Sequence, residues 1–229
     1  SGDDGGIDGQ SGVVSVGPAG GANSLTRHGH VRVSDDGRLL VYDDGTPFPW
    51  VGDTCWAAPV HASMADWKRY VRGRAEEGYT VVQVSVAPDW AMEDGPAEAP
   101  PFLSELPDVT KPNPAYFGRL DRMFAEANDA GLVVVVVGLM ETPYRYPPPE
   151  QTAVLSRYVA ARSNGKAVIL SPSFDSGIVE AETQASARAA REAAPSNLIT
   201  MHMGTGVGPR FHSEDWLSFD MYQSGHNGG

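Results

Sequence analysis

The chain has 229 residues and a mass of 24.4 kDa, and its 41% hydrophobic content is enough for one domain with a substantial core. Its 29 acidic residues outnumber 17 basic ones for a formal charge of -12, and no cluster of Lys and Arg is present. That disfavours nucleic acid or an anionic membrane surface as a partner, because phosphate binding draws on grouped cations.

Residues 1–24 are dominated by Gly, Ser, Asp and Ala, a composition that buries too little surface to order itself. They read as a flexible leader, with 25–229 as the folded part. A tether behind a removed export signal explains them, and an expression remnant explains them equally. Secretion or display at a cell surface is the corresponding expectation, although no signal-peptide core stands at the start. Val31-Arg-Val33, the turn Asp35-Asp-Gly37, and Leu39-Leu-Val-Tyr42 followed by Asp43-Asp-Gly45 predict a small antiparallel hairpin that caps the barrel or sheet formed by the rest of the chain.

After Trp50 the period changes. Strands are predicted over 50–52, 80–86, 132–137, 167–170, 198–203 and 218–222, alternating with helices over 63–78, 114–130, 150–164 and 178–194. Ser63 is placed to cap the first helix through Asp66, Pro114 opens the second, and Gly78, Gly131 and Gly165 stand just past three helix ends. Such alternation implies right-handed crossovers and a parallel sheet covered on both faces. Two α/β architectures fit, a (β/α)8 barrel of the TIM type and an open doubly wound sheet. The open sheet calls for a Gly-rich phosphate loop after its first strand, whereas here the strand enters Asp53-Thr-Cys-Trp56, which favours the barrel. Only six of the eight βα units are visible, so the expectation is a piece of a longer polypeptide; a complete six-stranded domain would leave an open edge to be covered.

Several of these apolar runs end abruptly in polar and aromatic residues, the pattern of a parallel strand delivering side chains to a crevice at its carboxyl end. The candidates collected there are Asp53, Trp56, Gln83, Asp89, Trp90, Glu141, Tyr144, Tyr146, Ser173, Asp175, His202, Gln223, Ser224, His226 and Asn227. Carboxylates, amides and flat rings together suit a sugar, whose C–H faces stack on aromatics while its hydroxyls take hydrogen bonds. Metal binding is disfavoured and no cofactor is expected. The lone Cys55 allows no internal disulfide, and His202, His212 and His226, separated by ten and fourteen residues, match no metal motif. The longest apolar stretch, Leu132 to Val137, is far short of a membrane span.

Each candidate has a plainer reading. Asp175 suits either the cap of the helix beginning near 178 or a carboxyl tuned by burial beside Phe174 for proton transfer. Asp53 suits sugar hydroxyls or a loop pinned through backbone amides, and His226 a ligand or a loop pin. Glu141 leans towards substrate contact. Asp220 reads as structural, Cys55 as a small buried hydrophobe, and Trp67, Tyr70, Trp50 and Trp216 as packing. Trp56 and Trp90, just beyond strands, serve as a sugar platform or close the barrel top.

Phe48-Pro-Trp-Val-Gly-Asp-Thr-Cys-Trp56, then Tyr70-Val-Arg-Gly-Arg-Ala-Glu-Glu-Gly-Tyr79 leading into Val81-Val-Gln83, and finally His202 with Asp220-Met-Tyr-Gln-Ser-Gly-His226 resemble the apiosidase-like glycoside hydrolases, in order from about Val31 to Asn227. The resemblance implies a (β/α)8 barrel with two catalytic carboxylates, one after the fourth strand and one at the seventh. The first maps onto Asp175, although Ser-Pro-Ser-Phe-Asp stands where Gly-Gly-Asp is expected. The second, expected in a Gly-Glu-Pro context, has no counterpart, so this chain alone is expected to be catalytically incomplete. The expectation is an exported glycosidase acting on a plant or microbial polysaccharide, with Asp175 as acid/base. Asp53, Trp56, Gln83, Trp90, Glu141, His202, Gln223 and His226 would hold the sugar. The alternative is a non-catalytic carbohydrate-binding or structural surface protein on a degenerate barrel.

Overall fold

The structure, a computed structural model, describes residues 21, 23–92, 98–103, 108–139, 147–173, 179–203 and 208–222. A short helix α1 (Ser24–His28) comes first, which the sequence pattern does not announce: five residues are too few to show a period. It is held from outside. Asn23 caps it by accepting from the Thr26 amide, and its side-chain Nδ2 donates to the carbonyls of Asn128 and Asp129 at 3.1 and 3.0 Å. Ordered structure thus reaches into the end of the expected leader. β1 (Val31–Val33) and β2 (Leu40–Tyr42) then form the expected antiparallel hairpin, with Val31 opposite Tyr42 and Val33 opposite Leu40. Its turn passes through Gly37 at φ 71°, a conformation that favours glycine.

The rest alternates as predicted, with one short helix, α2, added before the first predicted one: β3 (Gly52–Thr54), α2 (Ala58–His61), α3 (Met64–Glu76), β4 (Val81–Ser85), α4 (Pro114–Asp129), β5 (Val133–Val137), α5 (Pro149–Ser163), β6 (Val168–Leu170), α6 (Glu180–Ala193), β7 (His202–Met203) and β8 (Met221–Tyr222). The strands run β3-β4-β5-β6, all parallel, and a parallel bridge from Leu170 to Ile199 leads on to the parallel pair β7-β8. This is an α/β fold of the TIM-barrel type, with six consecutive parallel strands among the described residues. Ser63 caps α3 through the Asp66 amide, and Asn113 with Pro114 opens α4. The first barrel strand begins two residues later than expected. Val51 is exposed, its amide donating to Thr80 Oγ1 at 3.0 Å, and the ladder starts only where Gly52 meets Val81.

Alternation along the strands divides the core in two. Val82, Val84, Val134, Val136, Val168 and Leu170 point outward onto the helices, where they meet Trp67, Val71, Phe117, Leu120, Leu155 and Val159. Val81, Val133, Val135, Val137 and Ile169 point inward. At the amino end of the strands the hairpin closes this inner layer with a run of rings: Tyr42 on Phe48 at 5.3 Å, Phe48 on Trp50 at 6.4 Å and Trp50 on Phe219 at 5.9 Å. The hairpin therefore plugs the floor, and the carboxyl ends face the opposite way. Among the described residues no helix is long and apolar enough to cross a membrane.

Trp67 anchors α3 to α4: it is 1% exposed and its indole N–H donates to the Met123 carbonyl at 2.7 Å. Trp67→Phe keeps most of the apolar contact but loses a buried hydrogen bond to a carbonyl that the helix also uses, and should cost about 0.5–1.5 kcal/mol in denaturant unfolding. Trp67→Ala adds a cavity and should cost about 3–5 kcal/mol.

Candidate active site

The inner face changes character as the strands reach their carboxyl ends. On β4, Val81 is followed on the same face by Gln83 and Ser85; in the β6 segment Ile169 is followed by Ser171. In the β7 segment Ile199 and Met201 belong to the outer layer, which turns His202 inward. An apolar floor thus gives way to a polar upper layer within two residues.

Trp56 lies over that layer. Its ring meets His202 edge to face, with centroids 5.2 Å apart and planes at 80°. The main chain on either side is held by β4: the Cys55 amide donates to the Gln83 carbonyl at 2.9 Å, and the Trp56 carbonyl accepts from the Ser85 amide at 3.1 Å. His202 is nearly buried. Its amide donates to Ser171 Oγ at 2.8 Å, Ser171 Oγ donates to the Ser173 carbonyl at 2.8 Å, and Ser173 Oγ donates to the His202 carbonyl at 3.3 Å. Two serine hydroxyls therefore lock the tip of the β6 segment to β7. Gln83 Oε1 is buried and accepts no hydrogen bond from the described residues. A buried acceptor left unpaired costs about 1–3 kcal/mol, so a ligand hydroxyl donating to it would gain what the free site lacks.

Of the residues expected to hold a ligand, the structure sets Trp56 against His202 and puts Gln83 on the same inner face of the barrel. Trp90 sits on a 3-10 turn (Asp89–Ala91) after β4 with 51% of its surface exposed. Asp175, Glu141, Gln223 and His226 lie outside the described residues. Ser85 and Ser171 belong to the same layer, although the sequence reading does not single them out. The signal for them is parity: each lies two residues beyond a residue of the inner face.

Asp53 requires a correction as a sugar contact. It pairs with Val82, an outward-facing residue, so its carboxylate enters the helix layer. There Oδ2 accepts from Tyr70 Oη at 2.9 Å and from Arg74 Nε at 2.5 Å, while Oδ1 accepts from the Thr54 amide at 2.8 Å. Arg74 in turn lies over the Tyr70 and Tyr79 rings and pairs with Glu77 at 2.6 Å. Burial pushes the Asp53 carboxyl up, but the bonds from Tyr70, the Thr54 amide and Arg74 outweigh it and hold the group below its ordinary value. Cys55 next to it is half-buried, and burial raises its thiol pKa, which is unfavourable for a thiolate nucleophile.

Two cavities lined by described residues lie away from this layer. One of about 360 Å³, between the hairpin and the starts of β5 and β6, is lined by His30, Arg32, Asp43, Lys166 and Asn197. Another of about 380 Å³ lies between the hairpin and the entry to β8. Both open at the amino end of the strands, away from the face where parallel barrels place their chemistry.

The family described as "Apiosidase-like, catalytic domain" matches residues 34–229. Among solved structures, the chain is similar to a glycoside hydrolase family 5 protein from Bacteroides vulgatus, with a TM-score of 0.73 and 23% identity over 87% of this chain and 45% of that one. A structure titled "Glycoside hydrolase" gives the same TM-score and identity over 90% and 48%. A glycoside hydrolase family 5 mannosidase from Rhizomucor miehei gives a TM-score of 0.55 and 12% identity over 78% and 56%. At these identities the likeness shows the fold. The chain spans about half the length of these structures. No curated protein matches.

Asp53→Ala strands the Arg74 guanidinium and the Tyr70 hydroxyl, and should lower unfolding stability by about 1–3 kcal/mol. The pH dependence has a definite sign. A carboxylate held below its unfolded value of 3.8 stabilises the fold above that value and loses its contribution as pH falls towards its folded value. The difference in stability between Asp53→Ala and the parent should therefore shrink as unfolding is followed from neutral pH down into that range.

Proposed function

We propose that this chain, which belongs to the apiosidase-like family, forms the sugar-holding and acid-bearing part of an exported glycoside hydrolase acting on a plant or microbial polysaccharide. The observation that carries this reading is the switch of the inner barrel face from valine to Gln83, Ser85, Ser171 and His202 beneath Trp56, at the carboxyl ends of parallel strands. A pyranose or furanose ring has an apolar C–H face and a rim of hydroxyls. Trp56, fixed edge to face on His202, offers the surface for the first, and Gln83 Oε1 offers an acceptor for the second. Trp90 gives a further platform outside the crevice.

Asp175 follows Ser173 by two residues, and Ser173 is anchored at the tip of the β6 segment, the fourth parallel strand. A carboxyl carried there is suited to protonate the glycosidic oxygen as the C–O bond breaks. It then takes a proton from the water that completes hydrolysis if the reaction is retaining. Glu141, Gln223 and His226 follow β5 and β8 in the chain and are assigned to the sugar. Asp53 acts on the crevice only through the strand it holds against α3.

Activity is tested on the full-length protein by reducing-end release across a glycan panel. Asp175→Asn should lower kcat about 10²- to 10⁴-fold while leaving binding of the cleaved glycan intact. Full activity in that variant removes the assigned role. If the parent protein binds a glycan and cleaves none, the surface-binding reading replaces hydrolysis. Gln83→Leu should raise KM with kcat little changed, as expected for a hydroxyl contact made equally in the ground and transition states.

A further inference from the structure

A single buried guanidinium connects the two loops that carry Trp56 and Trp90. Arg119 projects from α4 and is 3% exposed. Its Nη1 donates to the carbonyl of Pro59, the second residue of α2, at 2.6 Å, and its Nη2 to the carbonyl of the C-cap Ala62. α2 is four residues long, has no side-chain cap at Ala57, and begins directly after Trp56 and Ala57. The Ala62 amide satisfies the Ala58 carbonyl, and Arg119 takes the carbonyls of Pro59 and Ala62. The short helix behind Trp56 is therefore seated by a residue from the neighbouring βα unit.

The same side chain reaches the next loop. Arg119 Nε lies 3.5 Å from Oε2 of Glu98, an ion pair too long to count as a hydrogen bond of good geometry. Glu98 belongs to the connection between β4 and α4, the connection that also bears Trp90. Around this contact the connection stands off the helix. A cavity of about 330 Å³ lined by Glu98, Ala99, Tyr116, Arg119 and Arg122 separates them. With little packing at that point, the Glu98–Arg119 pair acts as a strut across the gap. Further along, Asn113 Nδ2 to the Pro100 carbonyl at 2.8 Å and the bridge from Phe102 to Pro112 fix the returning limb.

We propose that Arg119 is a positioning residue that sets the spacing between the Trp56 and Trp90 platforms, with Glu98 as its contact on the Trp90 side. The proposal rests on the glycoside hydrolase reading for its consequence in binding, and on the geometry alone for its consequence in structure. Arg119 is well suited to the role because the planar fork addresses two carbonyls and a carboxylate at once; a lysine supplies one point charge and cannot span them.

Two measurements test it, one of them independent of any glycan. Trp90 is half exposed whereas Trp67 and Trp216 are buried, so acrylamide quenching of tryptophan fluorescence reports strongly on Trp90, and Trp90→Phe identifies its share. Glu98 is half exposed at the surface, so Glu98→Gln should leave folding intact. It should change the quenching constant of the full-length protein, and the change should vanish in the Trp90→Phe background. An unchanged quenching constant in a folded Glu98→Gln protein overturns the strut.

For the glycan that the panel identifies, Glu98→Gln should raise KM about three- to tenfold without lowering kcat, and should have no further effect once Trp90 is Ala. Additive effects of Glu98→Gln and Trp90→Ala would overturn the coupling. Arg119→Lys, which retains the charge, should recover part of the loss seen with Arg119→Met. If no glycan binds the parent protein, the functional reading fails while the quenching result still decides the strut.

Discussion

A strand of five consecutive valines, Val133–Val137, sits at the centre of the parallel sheet with every residue buried. A parallel strand of this kind has two apolar faces and no face to give to water, so it demands cover on both sides. The outer cover comes from α3, α4 and α5, whose apolar stripes meet Val134 and Val136. The inner cover comes from the neighbouring strands and, at the floor, from the rings of the hairpin. The hairpin is thus part of the barrel core, and its placement at the amino end leaves the other end of the barrel for chemistry.

Apolar burial sets which faces are hidden, but it does not fix where loops sit, because the carbonyls beyond strand and helix ends still need donors. Four side chains supply many of them. Asn128 brackets the start of β6 by accepting from the Ala167 amide and donating to the Ala167 and Leu132 carbonyls. Asn197 donates to the Val168 carbonyl at 2.7 Å. Arg191 holds the carbonyls of Pro195, Asn197 and Trp216, and Arg119 those of Pro59 and Ala62. Three of these braces serve the floor, whereas Arg119 serves the loops at the crevice.

Most of the architecture is legible in the sequence because its signals are local. The Ser63 cap, the proline that opens α4, glycines past helix ends, and the switch from period 2 to alternating strands and helices each need only a few neighbours. The short helices α1 and α2 are not legible, since their stabilising partners, Asn128 and Arg119, are about a hundred and about sixty residues away in the chain. The start of β3 shifts for a related reason. Trp50 and Val51 are apolar, but Thr80 takes the Val51 amide and the ladder begins at Gly52. Propensity cannot register a hydrogen bond from a side chain so far along the chain.

That two-residue shift changes how the most telling motif divides. In Gly52-Asp-Thr-Cys-Trp56 the pairing with Val81, Val82 and Gln83 assigns Gly52 and Thr54 to the inner face and Asp53 to the helix layer. A polar residue at a strand end is therefore a site candidate only if its parity matches the inner residues of its neighbour, because one step along a strand moves a side chain across the sheet. Gln83 and Ser85 pass that test through Val81, and Asp53 fails it through Val82. The carboxylate keeps the strand seated against Tyr70 and Arg74, and the tryptophan three residues on meets His202 in the crevice. One short motif thus supplies both the support and the surface, on opposite sides of one sheet.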